Sequence, residues 1–228
     1  MKNIRVSLLN VPLAGLVISG ARTCYDSFDK RSEEKDKELL KRLWQNSHHS
    51  IFEHLVFTFY VENCSRLILQ EIVRHRIASY SVKSTRFTLK KFVKELEELQ
   101  NKDASVYKIV EKFCVVPEFN DENIRTQYYS QMLNNLLTVK SLIQAGVKND
   151  LVKYFLPESF RTTFVWTINF RSLANFLKLR LSHKAHFEIR YIAYLITQIL
   201  KNCSEWTKFL LDILELEEYN NQKTTKEV

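Results

Sequence analysis

Arg74-His75-Arg76-Ile77-Ala78-Ser79-Tyr80-Ser81-Val82-Lys83-Ser84-Thr85-Arg86-Phe87 crowds three arginines, a histidine, a lysine, three serines and a threonine into one short span. It follows the apolar run Leu67-Ile68-Leu69-Gln70-Glu71-Ile72-Val73, which reads as a buried helix. Positive charge gathered at the end of an apolar element is unfavourable unless an anion compensates it. Guanidinium forks match phosphate geometry, and hydroxyls or loop amides can fill the remaining acceptors. The stretch therefore points to an oxyanion site, most simply one for a nucleotide phosphate.

On either side, the pattern alternates between strands and long helices. Ile51–Tyr60 is rich in aromatic and β-branched residues and is the best strand candidate. Thr162–Phe170 alternates, with Thr162, Phe164, Trp166, Ile168 and Phe170 on one face. Ile4–Asn10 reads as a weaker strand. Helices are expected over Arg31–Asn46, Thr88–Asn101, Asn123–Ala145, Leu151–Leu156, Arg171–Leu181 and Ala185–Leu214. Leu39, Leu40, Leu43 and Trp44 share one face of the first of these. Leu173, Phe176, Leu177 and Leu179 are expected to point inward. Gly146 suits the position just past a helix end, and Asp150 a helix cap. Leu13–Ala21 is apolar but carries Gly15 and Gly20, and periodicity leaves it unassigned. The expected class is α+β: a small, mostly antiparallel sheet packed with long helices and a helix-rich lobe. A single domain is expected over residues 1–218, with a polar, disordered tail over 219–228.

With 228 residues, of which 45% are hydrophobic, the chain can bury a substantial core. Only three glycines and three prolines are present, so few turns are signalled. The net charge of +8 suits polyanionic or phosphorylated partners, although many lysines sit in mixed-charge helical stretches that serve solubility. No apolar run reaches transmembrane length, and Met1–Val6 lacks a secretory h-region. Cys24, Cys64, Cys114 and Cys203 are scattered without a C-x-x-C pair, which favours reduced thiols and a cytoplasmic location.

Several clusters carry competing readings. His48, His49, Glu53 and His54 could suggest a metal, but His54 lies inside a strand pattern and no ligand spacing repeats, so no metal is expected. Cys24 beside Arg22 could be an activated nucleophile; a buried inert thiol is the simpler reading. Ser84 lacks a nearby carboxylate for a triad and reads as a hydroxyl donor. Arg180 ends an apolar helical face, either snorkelling to solvent or held at a pocket mouth. Asn169, Arg171 and Asn175 gather at a strand–helix junction. Helix capping would explain one of them but not all three.

Together these residues resemble a known family. Arg74-His75-Arg76 followed by Ser84 and Arg86 closely resembles the R-H-R…S-x-R signature of flavin-dependent thymidylate synthases. Phe52–Phe59, Leu156-Pro157, Phe164–Leu173, Asn175–Arg180 and Arg22-Thr23-Cys24-Tyr25 are similar to other stretches of that family. The likeness runs from about Ala21 to Trp206 and is weakest over Lys90–Glu122.

The resemblance implies an α+β homotetramer with active sites shared between subunits. It implies FAD as the flavin and NADPH as its reductant. The reaction would turn dUMP and methylenetetrahydrofolate into dTMP and tetrahydrofolate, with small-molecule substrates and no nucleic acid or membrane partner. Carried over by position, Ser50, Arg74, His75, Arg76, Asn169, Arg171 and Asn175 would bind FAD. Glu71, Arg74, Ser84, Thr85, Arg86, Lys153 and Arg180 would bind dUMP, and Arg180 would also be catalytic by favouring ionisation at uracil N3. The chain departs from the pattern at Glu71 for a usual Gln, Ser81 for Asn, Val82 for Glu and Lys153 for Arg. Glu71 is expected to pair with Arg74 or to face the base. The competing class is a nucleotide- or nucleic-acid-binding module without catalysis, in which the basic stretch tracks a backbone.

Overall fold

The structure is a computed structural model and describes residues 3–216. The tail expected over 219–228 lies outside them. Four strands form one antiparallel sheet, β1 (Arg5–Leu8), β2 (Val56–Ser65), β3 (Ala78–Val82) and β4 (Arg161–Asn169), in the order β1-β2-β4-β3. Ten α-helices are found among the described residues: α1 (Ala14–Cys24), α2 (Glu33–Gln45), α3 (Arg66–Ile72), α4 (Thr85–Gln100), α5 (Val106–Phe113), α6 (Glu122–Gln144), α7 (Asn149–Val152), α8 (Phe170–Arg180), α9 (Phe187–Cys203) and α10 (Glu205–Asp212). The α+β class expected from the pattern is what the chain forms.

The chain divides into two compact units, and β2, α3, β3 and β4 each contribute residues to both. The helix-rich unit contains Glu62–Gln70 and Val82–Phe164. Its core gathers Leu89, Phe92 and Leu96 of α4, Ile109, Val110 and Phe113 of α5, and Tyr129, Leu136 and Val139 of α6. Met132, Leu133, Leu137 and Leu142 pack partly buried against it. Asp121 caps α6 by accepting from the Asn123 and Ile124 amides. Gly146 follows the helix at φ +77°, a conformation that favours glycine.

The second unit contains Arg5–Val61, Glu71–Ser81 and residues from 165 onward. Its core is aromatic: Trp44, Phe52, Phe57, Phe59, Trp166, Phe170 and Phe176 are all buried. Trp44 meets Phe52 edge-on at 5.1 Å, and Trp166 meets Phe176 at 4.8 Å. The strict alternation along β4 places Trp166 and Ile168 inward, and Phe170 continues that face into α8.

Several local expectations are corrected. Ile51–His54 is not strand; His49–His54 forms a 3₁₀ turn, and β2 begins at Val56. The same aromatic content serves a buried turn as well as a strand. Leu13–Ala21 belongs to helix α1 despite its two glycines; a Cβ at Gly20 would come within 3.1 Å of the His54 ring. The long helix expected over Ala185–Leu214 is two helices. Ser204 ends α9 and caps α10, accepting from the Thr207 amide while the Thr207 hydroxyl accepts from the Ser204 amide. Leu179 is 55% exposed rather than inward. No helix of the described residues is long and apolar enough to cross a membrane.

Candidate active site

Helix α3 ends at Ile72, so Arg74, His75 and Arg76 lie beyond it in a turn that leads to β3. The turn is fixed by Tyr80, a residue that local pattern did not single out. The Tyr80 hydroxyl lies 2.7 Å from the Ile72 carbonyl and 2.9 Å from that of His75, donating to this pair. Burial pushes the Tyr80 phenol up to about 12, so it stays protonated as this role requires. The His75 ring packs edge-on against Phe176 of α8 at 5.0 Å.

Arg180, at the end of α8, closes the arrangement. Its Nη1 donates to Glu71 Oε2 at 2.7 Å, Nη2 to the Glu71 carbonyl at 3.3 Å, and Nε to His75 Nε2 at 3.2 Å. Glu71 thus pairs with Arg180 and not with Arg74, the first of its two expected roles. His75 Nε2 is the acceptor, so the ring is neutral with its proton on Nδ1. Burial lowers the His75 pKa to about 4; the Arg180 charge adds to the lowering and Glu71 opposes it.

These groups border a cleft of about 1360 Å³. Arg74, His75, Arg76, Arg171, Asn175 and Arg180 all line it. Arg171, Asn175 and Lys178 share one face of α8 at the helical spacing. Arg171 Nη1 donates to Glu53 Oε1 at 2.7 Å. Asn169 does not line the cleft; it caps α8 by accepting from the Ser172 amide at 2.9 Å, so capping explains this asparagine alone. Ser50 is exposed in the 3₁₀ turn beside His49, which does line the cleft. His49 stacks on Trp44 at 4.2 Å, and Lys178 Nζ lies 5.8 Å over the Trp44 ring. Trp44, His49, Lys178 and Lys184 were missed as site residues. The α8 stripe was the available signal for Lys178.

The remaining candidates lie in the helix-rich unit. Ser84 stands at the N-cap of α4, yet its hydroxyl makes no capping bond among the described residues. Thr85 and Arg86 open the helix. Arg86 meets Asp150 as a fork, Nε to Oδ1 at 2.8 Å and Nη2 to Oδ2 at 2.7 Å, and Lys153 Nζ donates to Asp150 Oδ1 at 3.3 Å. Asp150 is therefore an ion-pair partner and not the expected helix cap; the α7 cap position falls on Lys148.

Cys24 is exposed, against the expectation of burial, whereas Cys64 and Cys114 are buried. Burial pushes the Cys114 thiol up to about 11. Among the described residues no group of three or more His, Cys, Asp or Glu side chains is placed to hold a metal ion.

Against known proteins, residues 12–204 match the family described as "Thymidylate synthase complementing protein" (Thy1). The flavin-dependent thymidylate synthase of Wolinella succinogenes is 43% identical over 182 residues, spanning 78% of this chain and 84% of that one. The chain belongs to the flavin-dependent thymidylate synthase family. The family's enzyme from Campylobacter jejuni is 40% identical over 200 residues, 85% of this chain and 89% of its own. A crystal structure of Helicobacter pylori thymidylate synthase X, described as holding FAD and dUMP, superposes with a TM-score of 0.76 at 31% identity, covering 92% of this chain and 99% of that one. In the terms of this flavin-dependent thymidylate synthase family, the R-H-R turn and the α8 stripe lie on one cleft, and the S-x-R element opens α4.

Proposed function

We propose that the chain carries out the reductive methylation of dUMP to dTMP, with FAD as hydride carrier, NADPH as reductant and methylenetetrahydrofolate as carbon donor. Membership of the flavin-dependent thymidylate synthase family makes it a methyl-transferring enzyme. The observation that carries the proposal is the convergence of Arg74, His75, Arg76, Arg171 and Arg180 on one large cleft. The cleft suits a dinucleotide, because cations suited to a pyrophosphate lie beside the apolar surfaces of Trp44, Ile77 and Leu179. When bound, FAD supplies the two-electron hydride chemistry.

The chain's own residues bind and orient. Arg74, Arg76 and Arg171, with Ser50 and Asn175, hold the flavin, and Asn169 fixes the start of the helix that carries Arg171 and Asn175. His75 stays neutral and presents Nδ1–H, since Arg180 occupies Nε2. Arg180 places a fixed cation where negative charge develops on the uracil ring at N3, with Glu71 and Arg74 beside it. Ser84, Thr85, Arg86 and Lys153 receive the dUMP phosphate. A cytoplasmic homotetramer completes each site between subunits. Supporting this, Ile77, Phe87 and Tyr154 are 69%, 83% and 82% exposed, each next to a candidate ligand residue. Residues 1–218 act as one catalytic domain.

The test is direct. Purified protein is expected to be yellow, to bleach with NADPH under anaerobic conditions, and to form dTMP from dUMP and methylenetetrahydrofolate. Colourless protein that takes up no FAD would overturn the proposal. So would binding to many phosphates of a nucleic acid with a steep salt dependence.

A further inference from the structure

Asp150 is the one carboxylate among the described residues bound to both Arg86 and Lys153. Its two oxygens take the Nε–Nη2 edge of the Arg86 fork, the edge suited to two phosphate oxygens. Lys153 shares one of those oxygens. The arrangement is held in place: Asn149, the preceding residue, donates to the Arg86 carbonyl at 2.6 Å and ties the start of α7 to the start of α4. Nearby, the Ser84 hydroxyl caps nothing among the described residues, and the first turn of α4 contains no acidic residue. A helix start, an uncommitted hydroxyl, a guanidinium and an ammonium make an oxyanion site, and a carboxylate already holds its two cations.

We propose that Asp150 is an internal competitor for the phosphate of the substrate and sets the affinity for phosphorylated ligands at this site. The inference rests on the reading that Arg86 and Lys153 receive the dUMP phosphate. The three side chains carry a summed charge of +1 while Asp150 is ionised and +2 once it is neutral. Asp150 remains a carboxylate across the working range, since the Arg86 hydrogen bond, with help from Lys153 and against desolvation, lowers its pKa to about 2. The side chains of Arg86, Asp150 and Lys153 are 63%, 46% and 39% exposed. Pairs this exposed are weak, so an arriving phosphate dianion displaces the carboxylate at small cost. The carboxylate then sits close to the bound dianion and repels it.

The test compares FAD-loaded wild type with Asp150→Asn, Asp150→Ala and Arg86→Ala. Binding of dUMP, of 2′-deoxyuridine and of inorganic phosphate as a competitor is measured by calorimetry. Both Asp150 variants should bind dUMP about two- to fivefold more tightly, as expected for removing an exposed pair. Inorganic phosphate should compete at correspondingly lower concentration, and 2′-deoxyuridine, which lacks the phosphate, should bind as in wild type. Unchanged or weaker dUMP binding in both variants, with Arg86→Ala still impaired, overturns the inference and leaves the phosphate site standing. Equal tightening for 2′-deoxyuridine also overturns it, because the effect would not be on the phosphate. Undiminished dUMP binding in Arg86→Ala overturns the site reading and the inference with it.

Discussion

Glu71 and Arg180, 109 residues apart in the chain, meet through a 2.7 Å charge-assisted hydrogen bond, and Arg180 uses its remaining edge on the Glu71 carbonyl and on His75. Every hydrogen-bonding nitrogen of this guanidinium is thus committed before a substrate arrives. Arg180 is pre-oriented, and part of its charge is offset by Glu71. Replacing Arg180 by alanine should leave flavin absorbance intact and lower dTMP formation by about 10²–10³-fold, the range for loss of one preorganised charge donor. Turnover assays on the yellow variant check this. Glu71→Gln keeps the shape and removes the offsetting charge, so Arg180 should stabilise an anionic uracil better. The expected result is a lower apparent pKa in the pH dependence of turnover, read from initial rates.

His75 makes stability depend on pH. Its folded-state pKa of about 4 lies below the ordinary 6.5, mainly through burial and then through the Arg180 charge. Between those values the unfolded chain binds a proton that the folded chain does not. Stability therefore rises with pH from about 4 to 6.5 and is level with respect to this group above that window. The expected loss on acidification is on the order of 2 kcal/mol. His186, also lowered by burial, adds in the same direction. His75→Gln should flatten the slope without removing it, as measured by thermal unfolding across this range.

Arg22 and Asp36 form a buried ion pair at 2.7 Å, with side-chain exposures of 6% and 5%. Arg22 Nε also reaches Asp36 Oδ1 at 3.0 Å, and Nη1 lies 3.4 Å from the Ser27 carbonyl. The pair joins α1 to α2. Removing one partner strands a buried charge, so Asp36→Ala should lose about 3–5 kcal/mol. Arg22→Met should lose less, because Arg31 remains 3.6 Å from Asp36. The double change should cost less than the sum of the two single changes, as chemical denaturation would read.

Local pattern made the frame legible but not the pairings. Alternation along Thr162–Phe170 fixed β4 and its inward face, and the apolar spacing of α2 fixed its buried side. Periodicity could not separate a buried 3₁₀ turn from a strand at Ile51–His54, since both bury aromatic and β-branched residues. Nor did it break α9 from α10. The apolar rhythm continues across Ser204, and the box is closed by Thr207 in place of the more usual acid or amide. The R-H-R cluster announced an anion site, yet the carboxylates that hold the other arginines, Arg180, Arg171 and Arg86, stayed hidden. Glu71, Glu53 and Asp150 lie 109, 118 and 64 residues from the arginines they hold, a separation that only the folded chain removes.

If Arg171 holds the flavin as proposed, the Arg171–Glu53 pair offers a test that separates flavin binding from stability. The two side chains are 52% and 44% exposed, and exposed pairs contribute at most about 1 kcal/mol to folding. Arg171→Ala should therefore shift the unfolding midpoint of the flavin-free protein very little. The cleft loses more, because Arg171 is one of its lining cations and can form a charge-assisted bond to a flavin phosphate. A bond of that kind is worth about 1.5–3 kcal/mol, which corresponds to roughly ten- to hundredfold in FAD affinity. Arg171→Lys keeps the charge without the fork and should fall between the two. Fluorescence titration of FAD into stripped protein measures the three affinities, and equal values would show that Arg171 serves only to anchor the turn carrying Glu53.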